Sequence, residues 1–292
     1  VSISIGEGAT VANTGTYLDV DAGDDVALSA SVGTVSKAGT NSGTWSWSFT
    51  ATDGPAQSGP ATITADDGHG AISQTTFSLN VSNVAPTATL SNNGPVNEGS
   101  PATVSFSGQS DPSASDTAAG FRYAYACDGG SLAGATYATG VGSASTTCVF
   151  ADNGSYTVRA RIMDKDDGFT EYTTTVTVNN VVPAVSAGAD ATANEGSAFT
   201  GAGSFTDPGA DTWTATVDYG DGSGVQPLAL APDKTFALSH TYADNGAYTI
   251  TVTVTDDDSG VGIDTLVVTV SNVAPAVSAG ADATANEGSA FT

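Results

Sequence analysis

The chain has 292 residues, with 31 acidic against 6 basic side chains and a formal net charge of −25. So acidic a balance argues against a nucleic-acid surface and against anionic membranes, both of which need Lys and Arg, and it makes cations the natural counter-partners. Only five of the acids are Glu, while Gly, Thr, Ser and Val abound, so the composition reads as strands and turns, and no run of about eighteen apolar residues is present to span a membrane.

In chain order the first signal is a Glu-Gly turn, Gly6-Glu7-Gly8. It returns as Asn97-Glu98-Gly99-Ser100, Asn194-Glu195-Gly196-Ser197 and Asn286-Glu287-Gly288-Ser289, in copies about 95 residues apart. Each later copy follows a boundary formula: Val81-Ser82-Asn83-Val84-Ala85-Pro86, Val178-Asn179-Asn180-Val181-Val182-Pro183, and Val270-Ser271-Asn272-Val273-Ala274-Pro275. The repeats are therefore residues 1–85, 86–182 and 183–274, with 275–292 expected to be the first strands of a truncated fourth. Residues 275–292 copy 183–200 letter for letter, so the chain is expected to be a segment of a longer array.

Repeat 1 alternates apolar and polar residues in Val26-Ala27-Leu28-Ser29-Ala30, Trp45-Ser46-Trp47-Ser48-Phe49, Ala61-Thr62-Ile63-Thr64-Ala65 and Thr76-Phe77-Ser78-Leu79. A period of two means strands with one buried face and one wet face. Asp53-Gly54-Pro55 and Asp66-Asp67-Gly68-His69-Gly70 read as turns. Trp45 and Trp47 share a face, where core packing is favoured over a sugar platform.

Repeat 2 continues with Phe121-Arg122-Tyr123-Ala124-Tyr125, Tyr156-Thr157-Val158-Arg159-Ala160-Arg161-Ile162 and Thr173-Thr174-Thr175-Val176. Arg159 and Arg161 are expected on a solvated strand face near acidic neighbours. Both cysteines of the chain, Cys127 and Cys148, lie here, 21 residues apart. A disulfide, worth roughly 3 kcal/mol on the chain-entropy model, is expected over two reduced core thiols, and it would place the chain outside the cytosol. Two cysteines alone cannot complete a zinc site.

Repeat 3 reads Trp213-Thr214-Ala215-Thr216-Val217-Asp218-Tyr219-Gly220-Asp221-Gly222, then His240-Thr241-Tyr242, then Gly246-Ala247-Tyr248-Thr249-Ile250. Tyr156 and Tyr248 each follow an Asn-Gly turn and open a strand, the setting of a tyrosine corner. The Val217 to Gly222 motif with the two later segments resembles the PKD (polycystic kidney disease) repeat of bacterial surface proteins. Repeats 2 and 1 depart from the pattern progressively, repeat 1 being more similar to an immunoglobulin-like repeat of long adhesins. The resemblance implies an all-β chain of tandem immunoglobulin-like (PKD-like) antiparallel β-sandwiches arranged end to end.

In a seven-strand sandwich alternate loops fall at opposite ends, so the Glu-Gly turn of one repeat is expected to meet the second and sixth loops of the next. The first boundary then gathers Glu7, Asn83, Asp111, Asp116, Asp164, Asp166 and Asp167. The second gathers Glu98, Asp152, Asn180, Asp207, Asp211, Asp256, Asp257 and Asp258. Carboxylate and amide oxygens in such sets suit a hard cation with six to eight oxygen ligands, calcium rather than magnesium, where scattered acids would only make turns and keep the surface soluble. The arrangement is similar in logic to cadherin linkers, and the PKD resemblance also implies calcium near the linker.

Catalysis has little support, because His69 and His240 lie in different repeats without a nucleophile patterned beside them. The expected function is a non-catalytic, calcium-stiffened segment of an extracellular stalk, adhesin or filament. Its partners are neighbouring repeats of the same chain and copies of itself paired through exposed strand edges. The alternative is a carbohydrate- or protein-binding module gripping through Trp45, Trp47, Tyr123 and Tyr125.

Overall fold

The computed structural model describes residues 1–288, which divide into two compact units, Val1–Asn179 and Asn180 onward. The first unit holds two sandwiches. Its first is built from β1 (Ser2–Gly6), β2 (Thr10–Leu18), β3 (Ala27–Ala30), β4 (Thr34–Ala38), β5 (Ser42–Thr50), β6 (Gly59–Asp66) and β7 (Ile72–Ser82). These form the sheets β1-β7-β6-β3 and β2-β5-β4. The period-two pattern turns Trp45, Trp47, Ile63, Phe77 and Leu79 into one buried cluster.

The second sandwich comprises β8 (Thr87–Asn92), β9 (Val96–Asn97), β10 (Pro101–Ser110), a short helix α1 (Ala114–Ala119), β11 (Arg122–Ala126), β12 (Ser145–Val149), β13 (Gly154–Met163) and β14 (Phe169–Asn179). Its sheets are β12-β10-β8 and β11-β13-β14-β9. Cys127 and Cys148 are joined as a disulfide that ties the end of β11 to β12 in the opposite sheet. Arg161 does not lie on a solvated face. It is 5% exposed, because the long β11–β12 connection folds over it: Arg161 donates to Ala135 O at 2.9 Å and to Glu171 Oε1 at 2.7 Å, and it sits 3.8 Å over the Phe169 ring.

The second unit contains β15 (Ala184–Ser186), β16 (Ala191–Asn194), β17 (Ala198–Thr206), β18 (Trp213–Asp218), β19 (Gln226–Leu228), β20 (Thr235–Thr241), β21 (Gly246–Asp256) and β22 (Val261–Ser271). They make the sheets β15-β17-β20 and β16-β22-β21-β18-β19 around Phe199, Leu238, Ile250, Val252 and Val268. Tyr156 and Tyr248 close the corners expected of them, donating to Asp152 O at 2.9 Å and Asp244 O at 3.0 Å. Residues 275–288, expected to open a fourth repeat, form no strand: β15 pairs with β17 and β16 with β22, and no such partners follow Ser271 among the described residues. The rest of that segment, residues 289–292, lies outside them. Among the described residues no helix is long and apolar enough to cross a membrane.

One device recurs in all three sandwiches. An early strand runs parallel beside the last one, as β1 with β7, β9 with β14 and β16 with β22. The Glu that follows then donates its N–H to the end of that last strand: Glu7 to Ser82 O at 3.1 Å, Glu98 to Asn179 O at 3.0 Å, and Glu195 to Ser271 O at 3.0 Å. The Glu-Gly turn and the boundary formula, far apart in sequence, are therefore neighbours in space.

Candidate metal centre

Within the first unit five segments converge where its two sandwiches meet. The first sandwich supplies the Glu7 turn, the β5–β6 loop with Asp53, and Asn83 just past β7. The second supplies residues 111–121 between β10 and β11, and the turn 164–168 between β13 and β14. Buried Glu7 is an anchor: its carboxylate accepts the backbone N–H of Gly54 at 2.7 Å and of Val84 at 2.8 Å, tying the outgoing linker to its own repeat. Gly8 adopts φ 79° and lies so close to the next repeat that a Cβ would stand 2.4 Å from Pro112 Cβ. Across the same boundary Ser113 Oγ donates to Thr52 O at 3.0 Å.

Helix α1 buries one side chain, Asp116. Ser113 is its N-cap, accepting the Asp116 N–H at 3.1 Å, which fixes Asp116 in the first turn with its side chain fully buried. Asp164, also fully buried, closes the β13–β14 turn by accepting the N–H groups of Asp166 and Gly168, both at 2.9 Å. Asn83 Nδ2 donates to both oxygens of Asp164, at 3.0 and 3.1 Å. Gly168 leaves room for this latch, since a Cβ there would sit 2.3 Å from Asp164 Oδ2 and 2.4 Å from Asn83 Nδ2.

Carboxylate oxygens of Asp111, Asp116 and Asp164 lie within 4.8 Å of one another, and so do those of Glu7, Asp53 and Asp116. Asp116 belongs to both triads. Burial pushes the Asp111 carboxyl up to about 6; the Ser113 N–H opposes this and the charges of Asp116, Glu7 and Asp164 add to it. Asp164 is also raised by burial, against its hydrogen bonds from Asn83, Gly168 and Asp166. Lys165 enters the second triad. Its Nζ lies 2.7 Å from Asp53 Oδ1 and 3.0 Å from Asp116 Oδ1 and also bonds Asp166, and these partners, Asp166 first, hold the ammonium protonated well above the usual lysine range.

The donor set fits a hard cation. Asn83 Oδ1, Asp111 Oδ2 and Asp116 Oδ2 are buried and receive no hydrogen bond from any described residue. An unsatisfied buried oxygen costs about 1–3 kcal/mol, more when charged, and several converging carboxylates repel one another. An oxygen-liganded divalent ion removes both penalties at once.

Of the residues expected at the first boundary, Glu7, Asn83, Asp111, Asp116, Asp164 and Asp166 are brought together. Asp167 is not. It takes a left-handed φ of 63° and turns away, its Oδ1 accepting the Tyr137 N–H at 2.7 Å. Asp53 and Lys165 were missed: Asp53 reads in sequence as a turn former, and Lys165 as a lone charge between acids.

The residues expected at the second boundary are divided between the units. In the first, Glu98 is buried beside Asn179, while Asp152 is exposed in the Tyr156 corner. In the second, Asn180 Nδ2 donates to Asp256 Oδ2 at 3.0 Å and the Gly260 N–H to Asp256 Oδ1 at 2.6 Å, repeating the Asn83, Asp164 and Gly168 arrangement. Asp207 accepts from Gly209 N at 2.8 Å and Trp213 Nε1 at 3.2 Å, and Asp257 from Thr212 N at 3.0 Å. Asp211 is buried, and Asp258 is exposed in the β21–β22 turn.

The sequence motif of this unit is also explained by its contacts. Asp218 Oδ1 accepts the Gly220 N–H at 2.9 Å, Asp221 bonds His240 at 2.7 Å, His240 stacks on Tyr219 with centroids 4.2 Å apart, and Tyr242 donates to Tyr219 O at 3.2 Å. Residues 180–270 match the family model of the PKD domain. The matched stretch coincides with the third sandwich, and no enzyme family is indicated. A search of the curated proteins finds no match.

Among solved structures the chain is similar to Sidekick-1 immunoglobulin domains 1–5, with 12% identity and a TM-score of 0.38 over 93% of this chain and 57% of that one. It is similar also to Protocadherin Gamma B2 extracellular cadherin domains 1–5, at 14% identity and a TM-score of 0.30 over 94% of this chain and 59% of that one. A third is an I-band fragment of titin, at 12% identity and a TM-score of 0.35 over 94% of this chain and 96% of that one. The chain thus spans less than two thirds of the first two structures.

Proposed function

We propose that this chain is a non-catalytic segment of an extracellular stalk, adhesin or filament, stiffened by calcium where its first repeat meets its second. The observation that carries the reading is the trio of buried, donorless oxygens on Asn83, Asp111 and Asp116. With Asp164 they would hold the ion, and Glu7 would hold the linker against it. Calcium suits this set better than magnesium, because the oxygens come from three separate segments of irregular geometry and calcium accepts six to eight ligands without octahedral order. The disulfide in the second sandwich belongs with an oxidising, calcium-rich exterior. Partners in this reading are adjacent repeats and other copies of the chain.

The alternative of an aromatic binding face loses its residues. Trp45 and Trp47 are 7% and 1% exposed and Tyr123 is 5% exposed, all inside cores, and half-buried Tyr125 packs on Phe106 with centroids 6.0 Å apart. Period-two alternation points these rings inward, where they pack within the sandwich cores instead of forming a platform.

The test is thermal unfolding of the full chain in millimolar calcium, millimolar magnesium and chelator, beside an Asp111→Asn, Asp164→Asn variant. A calcium-specific rise in Tm that the variant loses is expected. Equal melting of the wild type in all three conditions would overturn the reading.

A further inference from the structure

The boundary carries more negative charge than one ion removes, and it brings its own cation to half of it. The two acidic triads share Asp116, but they differ in what faces them. On one side lie Glu7, Asp53 and Asp116 Oδ1, with the Lys165 ammonium 2.7 Å from Asp53 and 3.0 Å from Asp116 Oδ1. On that side Glu7 is further satisfied by the Gly54 and Val84 N–H groups. On the other side Asp116 meets Asp111 and Asp164, with buried, donorless oxygens at Asp111 Oδ2 and Asn83 Oδ1, and Asp116 Oδ2 is likewise buried and donorless. Asp116 is 0% exposed, so its second oxygen has no route to bulk water.

We infer that Lys165 is a resident counter-cation which fills the Glu7, Asp53 and Asp116 half of the cluster and limits this boundary to one divalent ion, held by Asp111, Asp116, Asp164 and Asn83. The inference rests on the calcium reading above and gives that site its stoichiometry. An ion on the lysine side must expel an ammonium already bound by three carboxylates, whereas an ion on the other side meets, beside Asp164, the oxygens Asn83 Oδ1 and Asp111 Oδ2 that no described residue satisfies. The turn itself does not demand lysine. The second unit builds the same Asn-Asp-Gly latch, with Asn180, Asp256 and Gly260, and places Asp257 directly after its first Asp. Lysine rather than arginine is suited to the role, since a compact ammonium can stand among three converging oxygens where a planar fork cannot. Part of the boundary's charge balance therefore survives when calcium is withdrawn.

Native mass spectrometry of the full chain at fixed free calcium counts the ions. The Asp111→Asn, Asp164→Asn variant is expected to hold one ion fewer than the wild type, and Lys165→Met one ion more. If the double variant holds as many ions as the wild type, the calcium reading itself fails. If it loses one but Lys165→Met gains none, or loses one, the counter-cation inference alone is overturned. Should Lys165→Met not fold, Lys165→Gln replaces it, and a wild-type crystal soaked in calcium decides without any variant. Anomalous density beside Asp111 and Asp164, with Nζ still on Asp53, supports the inference. Density between Glu7 and Asp53, with the lysine displaced, contradicts it.

Discussion

The β13–β14 turn of the second sandwich and the β21–β22 turn of the third are built on one frame and dressed differently. In both, a buried Asp closes the turn by accepting the N–H of the Gly four positions on, an Asn from the preceding boundary formula donates to that Asp, and the bare Gly leaves room for the pair. The residue after the buried Asp then diverges: Lys165 gathers Asp53, Asp116 and Asp166, whereas Asp257 accepts the Thr212 N–H. The preceding loops diverge too. Helix α1 fixes Asp116 in one, while in the other Asp207 takes the indole N–H of Trp213 and Lys234 lies 4.1 Å over that indole ring. The frame is thus set by hydrogen bonds that burial makes obligatory, and the charges placed on it vary between repeats.

The sharpest way to break this equivalence is to remove the buried acid from each turn. Asp164→Ala and Asp256→Ala each strand an Asn amide and at least one backbone N–H donor, so each should cost about 3 kcal/mol in denaturant unfolding. A gap between them much wider than about 1.5 kcal/mol would show that the two frames are not alike. Gly168→Ala and Gly260→Ala should follow at about 1–2 kcal/mol each, because the added methyl meets Asp164 Oδ2 or Asp256 Oδ2 at 2.3 Å, and the loss should be smaller in variants already lacking the Asn.

Smaller again, Tyr156→Phe and Tyr248→Phe each delete one corner hydrogen bond and should cost about 1 kcal/mol, read as matched shifts in the unfolding midpoint of their own unit. The calcium-free first unit also responds to pH. The Asp111 carboxyl is raised from 3.8 to about 6, so between those values the folded state holds the proton that the unfolded chain has lost. Its contribution is fully present below about pH 3.8 and is lost as pH rises through 6, so Asp111→Asn should flatten that part of the stability profile. With calcium present the trend reverses, since the ligand must be ionised to bind.

Much of the fold was legible because strands declare themselves by alternation: Trp45, Trp47, Phe77, Tyr123 and Ile250 all fall on inward positions that the period-two pattern assigns. The pairing of the Glu-Gly turn with the boundary formula could be counted as a repeat, but its cause, a backbone hydrogen bond across a parallel strand pair, has no local signature. Helix α1 was hidden for a related reason. Six residues are too few for a period, and only the Ser113 cap, fixed by its contact with Thr52, makes that helix worthwhile. Asp167 shows the limit of reading charge runs, since neighbours in sequence at a turn point in different directions. Lys165 shows the converse: its role depends on Asp53, 112 residues away in sequence.

The central claim is that a calcium ion bound by the buried oxygens at the first boundary locks the linker that Glu7 holds. Amide hydrogen exchange of the full chain, followed at Gly54, Val84 and residues 164–168 in calcium and in chelator, tests it most directly. The account predicts that exchange at these amides slows at least tenfold in calcium while the core strand amides of β6 and β21 change little. Identical exchange at the boundary in both solutions would contradict it.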